Sequence, residues 1–123
     1  MIRLLVVDDD PSTLASLSRA FRMAGYEAVV CDNATRAIAL LKSERFDLVF
    51  SDVVMPGIDG FELLRRVKGG WPGVKVIVLT GYARRQSIHD FLLYGADEYL
   101  AKPFQVHELL AAVDRVTSTP TRA

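Results

Sequence analysis

Five short apolar runs punctuate this chain, and each is followed by a stretch whose apolar residues recur every three or four positions. Leu4-Leu5-Val6-Val7, Tyr26 to Cys31, Asp47 to Ser51, Val74 to Leu79 and Glu98 to Ala101 read as strands, because short apolar runs bounded by turn signals suit strands buried on both faces. Helical spacing then picks out five inner faces: Leu14, Leu17, Phe21 and Ala24; Ala34, Ala37, Ile38 and Leu41; Phe61, Leu64 and Val67; Ile88, Phe91, Leu92 and Gly95; Val106, Leu109, Leu110 and Val113. Strand and helix alternating five times over demand right-handed crossovers and a parallel sheet covered by helices on both sides. The expectation is a doubly wound α/β fold with strand order 2-1-3-4-5 and five helices. Val74 to Leu79 is the most hydrophobic strand and is expected at the centre.

Local signals agree with this layout. Asp10 before Pro11 suits a helix start, Gly25 a helix end, and Asn33 a second cap. Half of the 123 residues are hydrophobic, which fits one compact domain over residues 1–116, with the polar stretch 117–123 as a tail or the start of a linker. Fifteen basic side chains balance fifteen acidic ones, so no overall field draws the chain to nucleic acid or to an anionic membrane. The opening apolar stretch stops at Asp8, too short for a secretory core, and no run reaches transmembrane length. Cys31 is the only cysteine, which rules out an internal disulfide and suits a buried strand thiol. The expected compartment is the cytoplasm.

The chemistry lies where strands end. Asp8-Asp9-Asp10 follows the first run and Asp52 closes the third. In open parallel sheets ligands bind beyond the carboxyl ends of the strands, at the point where winding reverses, so Asp8, Asp9 and Asp52 are expected in one crevice. Carboxylates 4 Å apart repel by roughly 4 kcal/mol per pair at an effective dielectric near 20, unless a cation intervenes. All-oxygen ligands without His or Cys favour a hard ion, Mg²⁺ above all. His89 and His107 fall on predicted helices, away from these ends, and read as surface residues. Thr80 and Lys102 close the fourth and fifth strands on the same side, one with a hydroxyl and the other with an ammonium. Three carboxylates against a dication and Lys102 leave no net charge, and an acyl phosphate on one of them would add a single negative charge. Asp10 itself reads as a helix cap.

Taken in order, Val6-Val7-Asp8-Asp9-Asp10, Ser51 to Gly60 with Met55-Pro56-Gly57, Leu79-Thr80-Gly81, Gly95 to Leu100 and Lys102-Pro103-Phe104 closely resemble the response-regulator receiver domains of two-component signalling, the CheY-like family, over Ile2 to Val116. The resemblance implies a flavodoxin-like fold in which Asp52 accepts a phosphoryl group from a phosphohistidine on a sensor histidine kinase or phosphotransfer protein. It implies that Asp8, Asp9, Asp52 and the backbone carbonyl of Val54 hold Mg²⁺, Asp8 through water. It further implies that Lys102 pairs with the phosphoryl oxygens, Thr80 swings in to bond one of them, Tyr99 rotates inward behind it, and Pro103 follows a cis peptide bond. The switched face would be that of the fourth helix, fifth strand and last helix, read by a downstream protein or a fused output domain. Such a domain is no enzyme beyond catalysing its own phosphorylation and dephosphorylation.

The chain departs from the family at tuning positions. Val54 and Tyr82, each two residues after a key one, carry no acid or amide to orient a hydrolytic water, so loss of the phosphoryl group is expected to take minutes or longer. Ala112 stands where one DNA-binding subfamily has an Arg for dimer salt bridges, which weakens the case for a phosphorylation-dependent homodimer. Two other functions compete. Asp8-x-Asp10-x-Ser12 approximates the nucleophile motif of haloacid dehalogenase-type Mg²⁺-dependent phosphohydrolases, though it leaves Asp52 without a role. The other is an interaction module that signals by binding alone, against which the set Asp9, Asp52, Thr80 and Lys102 argues.

Overall fold

The computed structural model describes residues 2–52, 60–80 and 95–118. Its strands are β1 (Arg3–Val7), β2 (Glu27–Cys31), β3 (Leu48–Asp52), β4 (Lys75–Thr80) and β5 (Glu98–Ala101), and they pair in parallel in the order β2-β1-β3-β4-β5. The described helices are α1 (Pro11–Met23), α2 (Ala34–Ser43), α3 (Gly60–Gly70) and α4 (Val106–Ser118). The expected helix around Ile88, Phe91 and Leu92, together with His89, lies outside the described residues.

Alternation along each strand divides the core in two. Leu4, Val6, Leu48, Phe50, Ile77, Leu79 and Leu100 face α1 and α4, where they meet Leu17, Phe21, Leu109 and Val113. Leu5, Val7, Val49, Val76 and Val78 face α2 and α3, against Leu41, Leu64 and Val67. Phe21 stacks tilted on Phe50 at 4.9 Å between ring centroids, tying α1 to the middle of the sheet. Continuous apolar strands fit this double covering, since both faces of the parallel sheet are shut off from water.

Helix boundaries follow local chemistry. The Asp10 side chain accepts from Ser12 N, with Pro11 next to it, and the Asn33 side chain accepts from Arg36 N at 2.8 Å. α1 stops at Met23, and Gly25, at φ +92°, turns the chain back, so Ala24 is an exposed cap and not part of the buried stripe. In α4 the buried residues are Leu109, Ala112, Val113 and Val116, whereas Val106 is exposed on the first turn. That helix continues through Ser118, where Thr117 Oγ1 donates to Val113 O at 2.7 Å. The central strand is β3, buried along its whole length, and not the more hydrophobic β4, which lies between β3 and the edge strand β5.

Candidate functional site

Strand register levels the functional positions. Val7 pairs with Ser51, Asp52 with Leu79, and Thr80 with Ala101, so Asp8, Asp52, Thr80 and Lys102 stand together along the carboxyl edge of the sheet. Parity does the rest. Asp8 continues the series Leu4 and Val6, Asp52 continues Leu48 and Phe50, and Lys102 continues Leu100, all on the α1 and α4 side.

The side chains meet as that parity requires. Asp8 is fully buried, its Oδ1 accepting from Asp10 N at 3.0 Å and its Oδ2 from Lys102 Nζ at 3.2 Å. Lys102 Nζ also donates to Asp52 Oδ2 at 3.1 Å. Burial works to lower the Lys102 pKa, but the hydrogen bonds and charges of Asp52 and then Asp8 hold it above the ordinary lysine value. The Lys102–Pro103 peptide is cis. One carboxylate oxygen from each of Asp8, Asp9 and Asp52 lies within 4.8 Å of the others, a hard all-oxygen donor set of the kind a divalent cation takes. Two buried carboxylates and an exposed one against a single ammonium leave negative charge that such a cation would neutralise, so the residues present fit Mg²⁺.

Asp10 stands apart from this cluster. Its carboxylate accepts from Ser12 N at 3.2 Å, Ser12 Oγ at 3.1 Å and Thr13 Oγ1 at 2.7 Å, and these bonds, the Thr13 hydroxyl foremost, hold its pKa below the usual carboxylate value. Tyr99 is half-buried against the α2 and α3 side of the core. The Thr80 side chain, Val54 and Tyr82 lie outside the described residues. Sequence reasoning gave Lys102 to an incoming anion and missed that it also bridges Asp8 and Asp52, residues 94 and 50 positions away. It also missed Ser51, whose buried hydroxyl donates to Asp52 O at 3.1 Å beside the site. A lone serine in an apolar run carries no signal for that bond.

The model of the response regulator receiver domain matches residues 4–114. The chain belongs to this family. As a receiver domain of two-component systems, it is 37% identical over 113 residues to the response regulator protein FleR of Pseudomonas aeruginosa, covering 92% of this chain and 24% of that protein. It is likewise 37% identical over 113 residues to the response regulator MprA of Mycobacterium tuberculosis, covering 89% of this chain and 48% of that one. The receiver domain thus spans about a quarter to a half of the length of these curated relatives. Among solved structures, the chemotaxis response regulator CheY4 of Vibrio cholerae superposes with a TM-score of 0.89 at 31% identity, over 94% of this chain and 98% of that one. The response regulator TrrA of Thermotoga maritima, in complex with Mg²⁺-BeF, superposes with a TM-score of 0.86 at 35% identity, over 94% of this chain and 99% of that one. Among the described residues, no helix is long and apolar enough to cross a membrane.

Proposed function

We propose that Asp52 accepts a phosphoryl group from a phosphohistidine of a sensor histidine kinase or phosphotransfer protein, in a Mg²⁺-dependent reaction. The observation that carries this reading is the ammonium shared by two strand-end carboxylates, Lys102 Nζ at 3.2 Å from Asp8 and 3.1 Å from Asp52. An Asp52 oxygen attacks phosphorus in line while the bond from phosphorus to the donor imidazole breaks, and the imidazole leaves with the electron pair. Asp8, Asp9, Asp52 and the Val54 carbonyl would hold Mg²⁺, which when bound supplies neutralisation of the charge on the transferring oxygens. The Mg²⁺-BeF complex of TrrA supports that choice of ion.

Lys102 then exchanges the Asp52 carboxylate for phosphoryl oxygens, and the Thr80 hydroxyl donates to one of them. Tyr99 turns inward behind Thr80, biasing one of two packings of the neighbouring loop and helix. The output face comprises β5 and α4 together with the segment before β5 that the sequence assigns to a helix, and it addresses a downstream protein or a fused output domain. The domain catalyses only its own phosphorylation and dephosphorylation, works in the cytoplasm and does not itself bind nucleic acid. A phosphohydrolase of the haloacid dehalogenase type would need Asp10 free for chemistry, whereas its carboxylate caps α1.

Acetyl phosphate with Mg²⁺, followed by intact mass, tests the reading. Wild type should gain one phosphoryl group, and Asp52→Ala, or wild type in EDTA, should gain none. No gain in wild type would leave a module that signals by binding alone. The group, once attached, should last minutes or longer, since neither Val54 nor Tyr82 offers an acid or amide to a hydrolytic water; a half-life of seconds without a phosphatase would reject that part.

A further inference from the structure

The Asp10 side chain stands outside the carboxylate cluster, yet the Asp10 backbone N–H reaches into it, donating to Asp8 Oδ1 at 3.0 Å. Buried Asp8 is thereby held at three points: its own N–H donates to Cys31 O at 3.2 Å, Oδ1 accepts from Asp10 N, and Oδ2 accepts from Lys102 Nζ at 3.2 Å. Cys31 ends β2 and Lys102 follows β5, so the pairing of strands places both of those partners. The hold on Oδ1 has a different origin, because it depends on how the chain turns between β1 and α1.

The Asp10 side chain sets that turn. Residue 10 is extended, at φ −93° and ψ 112°, as a residue that opens a helix should be. Its carboxylate accepts from Ser12 N at 3.2 Å, from Ser12 Oγ at 3.1 Å and 3.2 Å on its two oxygens, and from Thr13 Oγ1 at 2.7 Å. Its carbonyl accepts from Leu14 N at 3.1 Å. Residue 10 is thus fastened to the first turn of α1, and α1 is fastened to the sheet by Leu14, Leu17 and Phe21. An N–H anchored in this way fixes the direction of the Asp8 carboxylate, which its like-charged neighbours Asp9 and Asp52 would otherwise push aside.

We propose that Asp10 is a positioning residue for the divalent-cation site: by capping α1 it aims its own N–H at Asp8 and keeps that carboxylate beside Asp9 and Asp52 before any ion arrives. The inference rests on the reading of Asp8, Asp9 and Asp52 as a Mg²⁺ site. The contribution is one of geometry and not of charge, since the Asp10 carboxylate is turned to α1 and exposed to water, which screens it.

Calorimetric titration of the whole chain with Mg²⁺ separates the two. Asp10→Asn keeps an acceptor for Ser12 N but removes the charge, and should bind Mg²⁺ within about threefold of wild type. Asp10→Ala removes both and should bind about tenfold or more weakly, the usual loss when a group that orients a metal ligand is removed. Thr13→Val leaves residue 10 and its charge intact, deletes the 2.7 Å bond, and should fall between the two. In metal-free protein, hydrogen exchange at the residue 10 amide, corrected for the intrinsic rate of each sequence, should be as slow in Asp10→Asn as in wild type and about tenfold or more faster in Asp10→Ala. At saturating Mg²⁺ the rate of phosphorylation by acetyl phosphate should return to the wild-type rate in Asp10→Ala, because the defect lies in binding the ion. Mg²⁺ affinity as weak in Asp10→Asn as in Asp10→Ala would make charge responsible and overturn the inference. Wild-type affinity in both Asp10→Ala and Thr13→Val, or a loss of rate that Mg²⁺ does not restore, would overturn it equally. Failure of the underlying reading looks different: wild type itself then binds no Mg²⁺, and the inference falls with it.

Discussion

Lys102 holds two acids that would otherwise repel each other, one of them fully buried. Removing one partner of a buried ion pair strands the other charge and commonly costs ~3–5 kcal/mol; the partial exposure of Lys102 brings the expectation for Lys102→Met down to about 2 kcal/mol in EDTA. If Mg²⁺ binds these carboxylates as proposed, it would take over the neutralisation, so the urea unfolding curves of variant and wild type should draw together when Mg²⁺ is added. An equal gap with and without Mg²⁺ would mean that Lys102 and the ion do not serve the same carboxylates. Cys31 is the contrasting residue, its thiol buried in the α2 and α3 side of the core while its carbonyl accepts from Asp8 N at 3.2 Å. Burial pushes its thiol from 9.0 up to about 11, because the thiolate is the form that loses its water. The unfolded chain therefore ionises first. Stability is intact below about pH 9 and is lost progressively toward pH 11, so the free energy of unfolding should fall more steeply there in wild type than in Cys31→Ala. At pH 8 the native protein should carry roughly a hundredfold less thiolate than an ordinary cysteine, and iodoacetamide should label it correspondingly slowly.

Elements begin where short-range chemistry says they should, and here the sequence was most legible. Asp10 and Asn33 both accept from a backbone N–H of the helix they open, since a small polar side chain before an apolar-periodic run has one natural partner, an unbonded donor of the first turn. Asn33→Ala should cost about 1 kcal/mol in chemical denaturation. Because the Asn33 side chain bonds Asp32 and Arg36, both in its own neighbourhood, the yield of phosphorylated Asp52 should not change, and a drop would tie α2 to the site. The inner faces of helices were less legible at their ends. Periodicity assigned Ala24 and Val106 to the core, yet spacing along one helix does not say where the sheet beneath it stops. Ala24 lies past the last turn of α1 and Val106 at the outer end of α4, while Ala112 and Val116 fill the buried face instead. Strand hydrophobicity misled in a related way. It reports burial above and below a strand, which β3 and β4 share, and not the number of strands on either side, which the crossovers decide.

Over the whole molecule, the meeting of Asp8, Asp52 and Lys102 could be read in advance because two regular rules compound: parallel strands end on one edge, and side chains alternate across the sheet. Asp8, Asp52 and Lys102 satisfy both. Contacts that obey neither rule were invisible, and the clamp around Asp97 is the chief example. Lys68 Nζ, from α3, donates to Val74 O at 2.9 Å and to Asp97 Oδ2 at 2.7 Å, and the same Asp97 oxygen accepts from Val76 N at 2.8 Å. One lysine thus fastens α3 to the start of β4 and to the turn that leads into β5 and Tyr99. Gly95 lets that turn form: its φ is +100°, and an added Cβ would sit 3.1 Å from Lys68 Cγ. Gly95→Ala therefore carries two separable costs, a backbone cost of ~1–2 kcal/mol for a left-handed alanine and a steric cost against the Lys68 stem. Lys68→Ala removes the stem along with the clamp. In the double variant the steric part vanishes, so Gly95→Ala should cost less by about 0.5 kcal/mol or more in the Lys68→Ala background than in wild type. Strict additivity in that cycle would place the whole penalty in the backbone and show that Lys68 yields freely, in which case the clamp would be too loose to transmit a change at Tyr99 to α3.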